Sequence, residues 1–357
     1  MTTNPLYDTW YRRLQQMYTE WHKPQLGNMT ALLVGVYLSR SIQLSQIANQ
    51  ISGRATLVSL TRRISRFLEG SGWRVRETYE PIIRPVLSHL AQNLTVRLVI
   101  DSSKVGFQHQ LLMVGVAYRK RVIPVAWTWV RGNRGHSSAH EQLALLGYVR
   151  GLLPAQARVE LTGDCEFGLI SLLQTLSAWG WHYALRQRPL YQIKPAHDAD
   201  WQALGSLVTQ PGQSRWLPDT QLTAKYQFPT HLLAFWAIGE EEPWLIATNL
   251  PTAKDALSTY ARRMWIEELF GDLKGHGFDL EATHLCHFLK LSRLTLAVVI
   301  LFVWLLSSGS RVIKNGQRAL VDRADRRDLS LFQIGLRFIL RQVVNVLPVS
   351  ISFAFVI

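Results

Sequence analysis

The chain has 357 residues, 48% hydrophobic and 18% charged, which excludes a disordered chain and allows a sizeable core in two or three domains. Lys and Arg total 39 against 25 Asp and Glu, a formal charge of +14. A globular protein this basic points to a polyanionic partner, with a basic membrane-surface protein as the alternative.

Two cysteines, Cys165 and Cys286, cannot make a disulfide framework, and a reducing cytoplasm suits them. The start, Met1 to Leu6, lacks the charged-then-apolar layout of a signal peptide. The apolar run Leu294 to Leu306 is shorter than the roughly 20 residues of a spanning helix, so a core helix and no membrane are expected.

Residues 1–90 read as helical. Ala31 to Tyr37 is apolar, and Ser41 to Ile51 places Ile42, Leu44, Ile47, Ala48 and Ile51 at helical spacing. After Gly53 a second segment carries Arg62, Arg63 and Arg66 beside Leu60, Ile64 and Phe67. Two short helices about a glycine turn, the second rich in Arg, suggest a helix-turn-helix-like DNA-binding unit. Many small helical domains share that pattern.

From Leu94 the texture changes. Leu94–Ile100, Leu111–Ala117 and Val122–Trp129 read as strands, Ala139–Leu152 as a helix, and Val159–Leu161 as a strand. Phe167–Trp179 is helical and Trp181–Leu185 is again a strand. The order β-β-β-α-β-α-β predicts an α/β fold: a mixed central sheet with flanking helices. Asp101 and Asp164 are placed just past the ends of two strands, where open α/β sheets bind ligands; each could instead cap a turn.

Five prolines between Pro189 and Pro229 break any long helix, while His231–Ile238 and Trp244–Ala247 read as strands. This β-rich insertion carries Trp201, Trp216, Trp236 and Trp244, either as core or with one of them as a platform for a displaced base.

Next comes the stretch Tyr260 to Lys274. On a helix at about 100° per residue, Tyr260, Arg263, Glu267 and Lys274 share one stripe roughly 60° wide. Trp265, Ile266, Leu269, Phe270 and Leu273 form the apolar back. Thr252 with Asp255 resembles a capping box, and Gly275 and Gly277 are expected to end the helix in a left-handed turn. A buried helix from about Leu289 to Leu306 follows, then a basic tail including Arg311, Lys314, Arg318, Arg323, Arg326, Arg327, Arg337 and Arg341. These cations either line a solvated face or meet phosphates. His276, His284, Cys286 and His287 match no common zinc spacing.

Phosphodiester chemistry on a polyanion needs charge neutralised at both attacking and leaving oxygens, the task of two Mg²⁺ ions about 3.5–4 Å apart held by carboxylates. Asp101, Asp164 and Glu267 are the expected ligands, with Asp101 bridging, while Arg263, Lys274 and the Tyr260 hydroxyl are expected to bind phosphate. Mn²⁺ is expected to substitute.

The spacing Tyr260-x2-Arg263-x3-Glu267-x6-Lys274 resembles, residue for residue, the YREK signature of the transposases of bacterial insertion-sequence family four. That resemblance implies an RNase H-like core with a DDE triad and a β-rich insertion between the second Asp and the Glu. It also implies cleavage of element ends, transfer of the freed 3′-OH into target DNA, and a hairpin intermediate with a flipped base. A homodimer on paired terminal inverted repeats and a bacterial, nucleoid-associated location follow as expectations. Cys165 departs from the family, which often carries Arg after the second Asp. The expected organisation is a helical DNA-binding domain (1–90), core (91–188), insertion (189–250), core with the Glu267 helix (251–310) and a basic C-terminal region (311–357). An RNase H-like nuclease that only hydrolyses, and a catalytically dead DNA-binding relic, are the competing readings.

Overall fold

The computed structural model describes residues 5–93, 95–106, 109–132, 137–196, 198–323, 325 and 327–356. Met1 to Asn4 of the N-terminal reading, Leu94 of the first strand and Arg326 of the basic region lie outside them. The chain forms two compact units: Met1–His89 with Val105–His109 and Leu269–Ile357, and Leu90–Lys104 with Gln110–Glu268.

The first unit is helical. Its N-terminal part comprises α1 (Pro5–Met17), α2 (Lys23–Ser39), α3 (Leu44–Asn49) and α4 (Leu57–Glu69), and α5 (Val75–Asn93) leads out of it. The two helices expected about Gly53 are α3 and α4. At the centre stands a helix from Phe288 to Lys314, longer than the sequence reading placed it. It is long and apolar enough to cross a membrane by length and composition, yet 83% of its most apolar window is buried inside the protein. Its extension past Leu306 begins with Ser307, Ser308, Gly309 and Ser310, all buried, and runs on to Lys314. Trp304 of this helix meets Trp10 edge-on at 5.2 Å and Tyr37 at 5.6 Å.

The region expected as a basic tail includes packed structure, while its Lys314, Arg323, Arg337 and Arg341 are exposed. A helix over Leu331–Val344 crosses the central one, and Arg318 pairs with Asp322 at 2.5 Å. A Cβ on Gly335 would fall 1.9 Å from the Leu305 carbonyl oxygen, and one on Gly309 would fall 2.0 Å from that of Leu331. The two backbones therefore touch through paired glycines. In the final segment Ile351, Phe353 and Phe355 are alternately buried. Trp304 Nε1 donates to the Ser350 carbonyl at 3.0 Å and Ser307 Oγ to that of Ala354 at 2.6 Å, tying the segment to the central helix.

The second unit is built on one sheet of ten strands, order β3-β2-β1-β4-β5-β10-β9-β8-β6-β7. These are β1 (Val96–Val105), β2 (His109–Tyr118), β3 (Arg121–Arg131), β4 (Val159–Gly163), β5 (His182–Arg186), β6 (Gln192–Lys194), β7 (Gln202–Ala203), β8 (Ser214–Leu222), β9 (Phe228–Phe235) and β10 (Trp244–Thr248). The order β-β-β-α-β-α-β is as expected, with α6 (Ala139–Leu152) and α7 (Ile170–Ala178) between strands. β1, β2 and β3 are buried almost along their whole length, as strands covered on both faces must be. Arg119 and Lys120, both at positive φ, form the two-residue turn joining β2 to β3, whose twist matches that of the strands.

β1 runs parallel to β4, and β4 parallel to β5. β10 then pairs antiparallel with β5 and with β9. The β-rich stretch therefore continues the same sheet outward.

Beyond β10 come α8 (Ala253–Tyr260) and α9 (Trp265–Leu273), with a 3₁₀ turn over Ala261–Met264 between them; α10 (Phe288–Lys314) and α11 (Leu331–Val344) are the crossing helices of the first unit. Thr252 caps α8, its Oγ1 accepting from the Asp255 N–H at 3.1 Å.

Two expectations fail here. The Tyr260–Lys274 stretch is not one continuous helix, because the 3₁₀ turn tightens the winding and rotates each following side chain. Gly275 and Gly277 do not take the left-handed conformation, which falls on Asp279 at φ 52°. The carbonyls of Gly271 and Lys274 are taken by the N–H groups of His276 and Gly277 in further turns, so no left-handed residue is needed sooner.

Candidate active site

Three carboxylates distant in sequence converge on one guanidinium. Ile100, the last β1 residue paired with β4, sits opposite Gly163. A Cβ on Gly163 would lie 2.8 Å from Ile100 Cγ2 and 3.2 Å from the Ile100 carbonyl oxygen, so the closeness of the two strands depends on glycine there. The next residue on each strand is an aspartate. Asp164 follows the end of β4, as expected. Asp101 lies inside β1 and not past its end, because β1 outlasts its parallel partner and continues to Val105.

Both aspartates are held by main-chain donors. Asp101 Oδ1 accepts from the Ser102 N–H at 2.8 Å, and Asp164 Oδ1 from the Glu166 N–H at 2.9 Å. Their other oxygens face Arg263, whose Nη2 lies 3.3 Å from Asp101 Oδ2 and 3.9 Å from Asp164 Oδ2. Arg263 Nη1 lies 2.5 Å from Oε1 of Glu267, one helical turn on. The Asp101 side chain is only 6% exposed and that of Arg263 12%, whereas Glu267 is 48% exposed. Burial pulls the Arg263 pKa down, but the surrounding anionic groups, Asp101 foremost, outweigh it and the net shift is upward. These four side chains put three carboxylates around one cation.

No protein-family model matches the chain. No curated protein matches it. Among solved structures it is similar to piggyBac transposase in a synaptic complex with hairpin DNA, at 11% identity and a TM-score of 0.40, over 98% of this chain and 84% of that one. Similarity that low leaves the site to rest on its own geometry.

Among the described residues, no group of three His, Cys, Asp or Glu side chains is already closed around a point that could hold a metal. The residues that could hold one are Asp101, Asp164 and Glu267. They offer hard oxygen donors only, the set that suits Mg²⁺ or Mn²⁺, and the guanidinium now lies among them.

Tyr260, expected on the charged face, is buried and packs edge-on against Trp244 at 5.0 Å. Burial pushes its hydroxyl pKa up to about 12, against the lowering effect of Arg186 and Arg263. Of the other insertion tryptophans, Trp216 lies 5.6 Å from the His231 ring and Trp236 donates to the Glu240 carbonyl; these two and Trp201 are half-buried.

Lys274 belongs to the first unit, where it pairs with Glu281 at 2.7 Å. Arg62, Arg63 and Arg66 are exposed on α4, also in the first unit, and Arg63 Nε donates to Asn28 Oδ1 at 2.6 Å.

Sequence reasoning missed a fourth carboxylate. Glu166 is buried two residues past Asp164, and its Oε2 accepts from Ser102 Oγ at 2.8 Å. Its Oε1 accepts from the N–H of Ser137 at 3.1 Å and from that residue's hydroxyl. Gln110 Nε2 donates to Ser102 Oγ at 2.6 Å. Ser102 is thus fixed by its hydroxyl to Glu166 and by its N–H to Asp101. The signal was the Asp-Cys-Glu run itself, an acid that the turn after β4 carries inward.

Proposed function

We propose that the chain is a DNA transposase of the insertion-sequence type, cleaving element ends with a divalent metal and transferring the freed 3′-OH into target DNA. One observation carries this: Asp101, Asp164 and Glu267, from two parallel strands and a distant helix, converge on the single guanidinium of Arg263. Asp164 also caps the turn after β4, but that uses one of its oxygens and leaves the gathering of three carboxylates unexplained, which suits metal-assisted phosphodiester chemistry. The YREK-like spacing around Glu267 supports the same reading and extends it to an RNase H-like core.

Bound Mg²⁺ or Mn²⁺ would neutralise charge at the attacking and leaving oxygens. Asp101, the most buried of the three, would hold such ions together with Asp164 and Glu267. The formal charge of +14 suits a DNA partner. Arg62, Arg63 and Arg66 are proposed as backbone contacts, and Lys274 and Tyr260 as further phosphate ligands. A homodimer on paired terminal repeats and a cytoplasmic location belong to the same proposal.

The test is strand cleavage of a labelled duplex carrying the DNA that flanks the coding sequence, with Mg²⁺ or Mn²⁺, for wild type and Glu267→Ala. Cutting by wild type alone, and joined product when target DNA is added, is the expected result. Cutting without joining would indicate a nuclease that only hydrolyses. Binding with no cutting by either protein would indicate a relic.

A further inference from the structure

We infer that Arg263 is the resident cation of the acid cluster: its guanidinium occupies the place between Asp101, Asp164 and Glu267 that a divalent ion takes, so that loading the metal expels it and frees it for a phosphate. This rests on the metal-site reading of those acids.

The competition follows from which oxygens are committed. Asp101 Oδ1 and Asp164 Oδ1 are engaged by the N–H groups of Ser102 and Glu166, and these bonds orient both carboxylates. The oxygens they direct inward, Asp101 Oδ2 and Asp164 Oδ2, are the ones that face Arg263 Nη2, and Glu267 Oε1 faces Nη1. A metal ion needs those same three oxygens. Arg263 and an ion within a few ångströms of each other would also repel. Both cannot hold the cluster.

Arg263 is placed to leave. Its Nε is buried without a hydrogen-bond partner, so part of the guanidinium is less well satisfied where it stands than it would be on a phosphate. It sits on the 3₁₀ turn Ala261–Met264 between two α-helical segments, and a change of that turn towards α geometry would swing the side chain. Glu267 is half exposed and can turn with it.

Two consequences follow. Divalent ions bind the free protein more weakly than three carboxylates alone would. A phosphate that captures the guanidinium tightens metal binding, and by linkage the metal tightens binding of the phosphate.

The experiment is calorimetric titration of Mn²⁺ into the full chain, comparing wild type with Arg263→Gln, Arg263→Lys, Arg262→Gln and Asp101→Asn. Arg262 is the control for bulk charge, since its Nη1 donates to the Ser258 carbonyl at 2.6 Å and not to the cluster. Arg263→Gln is expected to bind Mn²⁺ about tenfold more tightly than wild type, and Arg262→Gln to change it less than about threefold. Arg263→Lys keeps the charge but cannot span three acids, and an intermediate tightening is expected; it carries the test if the Gln variant does not fold. Unchanged or weaker binding in the Arg263 variants, or equal tightening in Arg262→Gln, would overturn the inference. No Mn²⁺ binding by any protein, or binding that Asp101→Asn leaves intact, would remove the metal-site reading and this inference with it.

Discussion

Tyr260 joins packing to electrostatics in one side chain. Its ring belongs to a buried cluster with Leu233, Ile246 and Ala256, while its hydroxyl feels Arg186, Arg263 and Asp164. Because burial raises its pKa from 10 to about 12, its contribution to stability is complete below pH 10, where the phenol is neutral in both states. That contribution is lost as the pH climbs from 10 towards 12. Denaturant unfolding at pH 9 and pH 11.5 should therefore show a smaller loss for Tyr260→Phe than for wild type, by on the order of 2 kcal/mol. At neutral pH the same variant should melt close to wild type, and any drop in DNA-end binding would then report the hydroxyl alone. Glu166 is the second residue to probe. Glu166→Ala leaves the hydroxyls of Ser102 and Ser137 and a main-chain N–H without their acceptor in a buried place. A cost of about 1–3 kcal/mol per orphaned group is expected in denaturant unfolding.

Among the elements, the crossing of α10 and α11 is the most exacting contact. Gly335→Ala would drive a Cβ into a main-chain carbonyl that no rotamer change can move, since the clash is with backbone. A loss of about 1–3 kcal/mol or more is expected by thermal unfolding. Gly147 in α6 is the contrast, because a Cβ there meets nothing within 4 Å. Gly147→Ala should raise stability by about 0.4–1 kcal/mol through the unfolded chain. The two glycines look alike in sequence, each inside an apolar helical pattern. What separates them is a helix some thirty residues away in the chain, which no local pattern reports. The Tyr260–Lys274 stretch teaches the converse: Ile266, Leu269, Phe270 and Leu273 of its apolar back are buried as the periodicity requires and Trp265 is half-buried, yet a single 3₁₀ turn parts Tyr260, which lies in the core, from the charged face.

For the molecule as a whole, charge is the property most open to test. With +14 on 357 residues, the proposed binding to DNA should weaken steeply with salt. Each phosphate contact adds about −0.9 to the slope of log K against log salt, so replacing Arg62, Arg63 and Arg66 by Ala should flatten it by up to about 2–3 if all three touch phosphate. An unchanged slope, with the fold intact, would remove these arginines from the proposed DNA contacts. Arg63 already holds Asn28, so its removal should also loosen α4 against α2.

By itself the sequence determined the order of elements from Val96 to Arg186 and singled out three acids that converge on Arg263. Strand and helix periodicities are local, and a chain must bury its apolar faces, so β1–β5 and the helices between them were legible from Val96 to Arg186. The spacing of Arg263 and Glu267 put them one turn apart, and the structure pairs them. Tertiary structure alone decided which strands lie side by side, that β6–β10 extend the same sheet, and that Gly163 lets β4 approach β1 closely enough to set two aspartates together. It alone turned Glu166 inward and placed Arg263 among three carboxylates. Those outcomes depend on contacts between residues as much as 162 positions apart, and the energy of such a contact is written in no window of sequence short enough to carry a period.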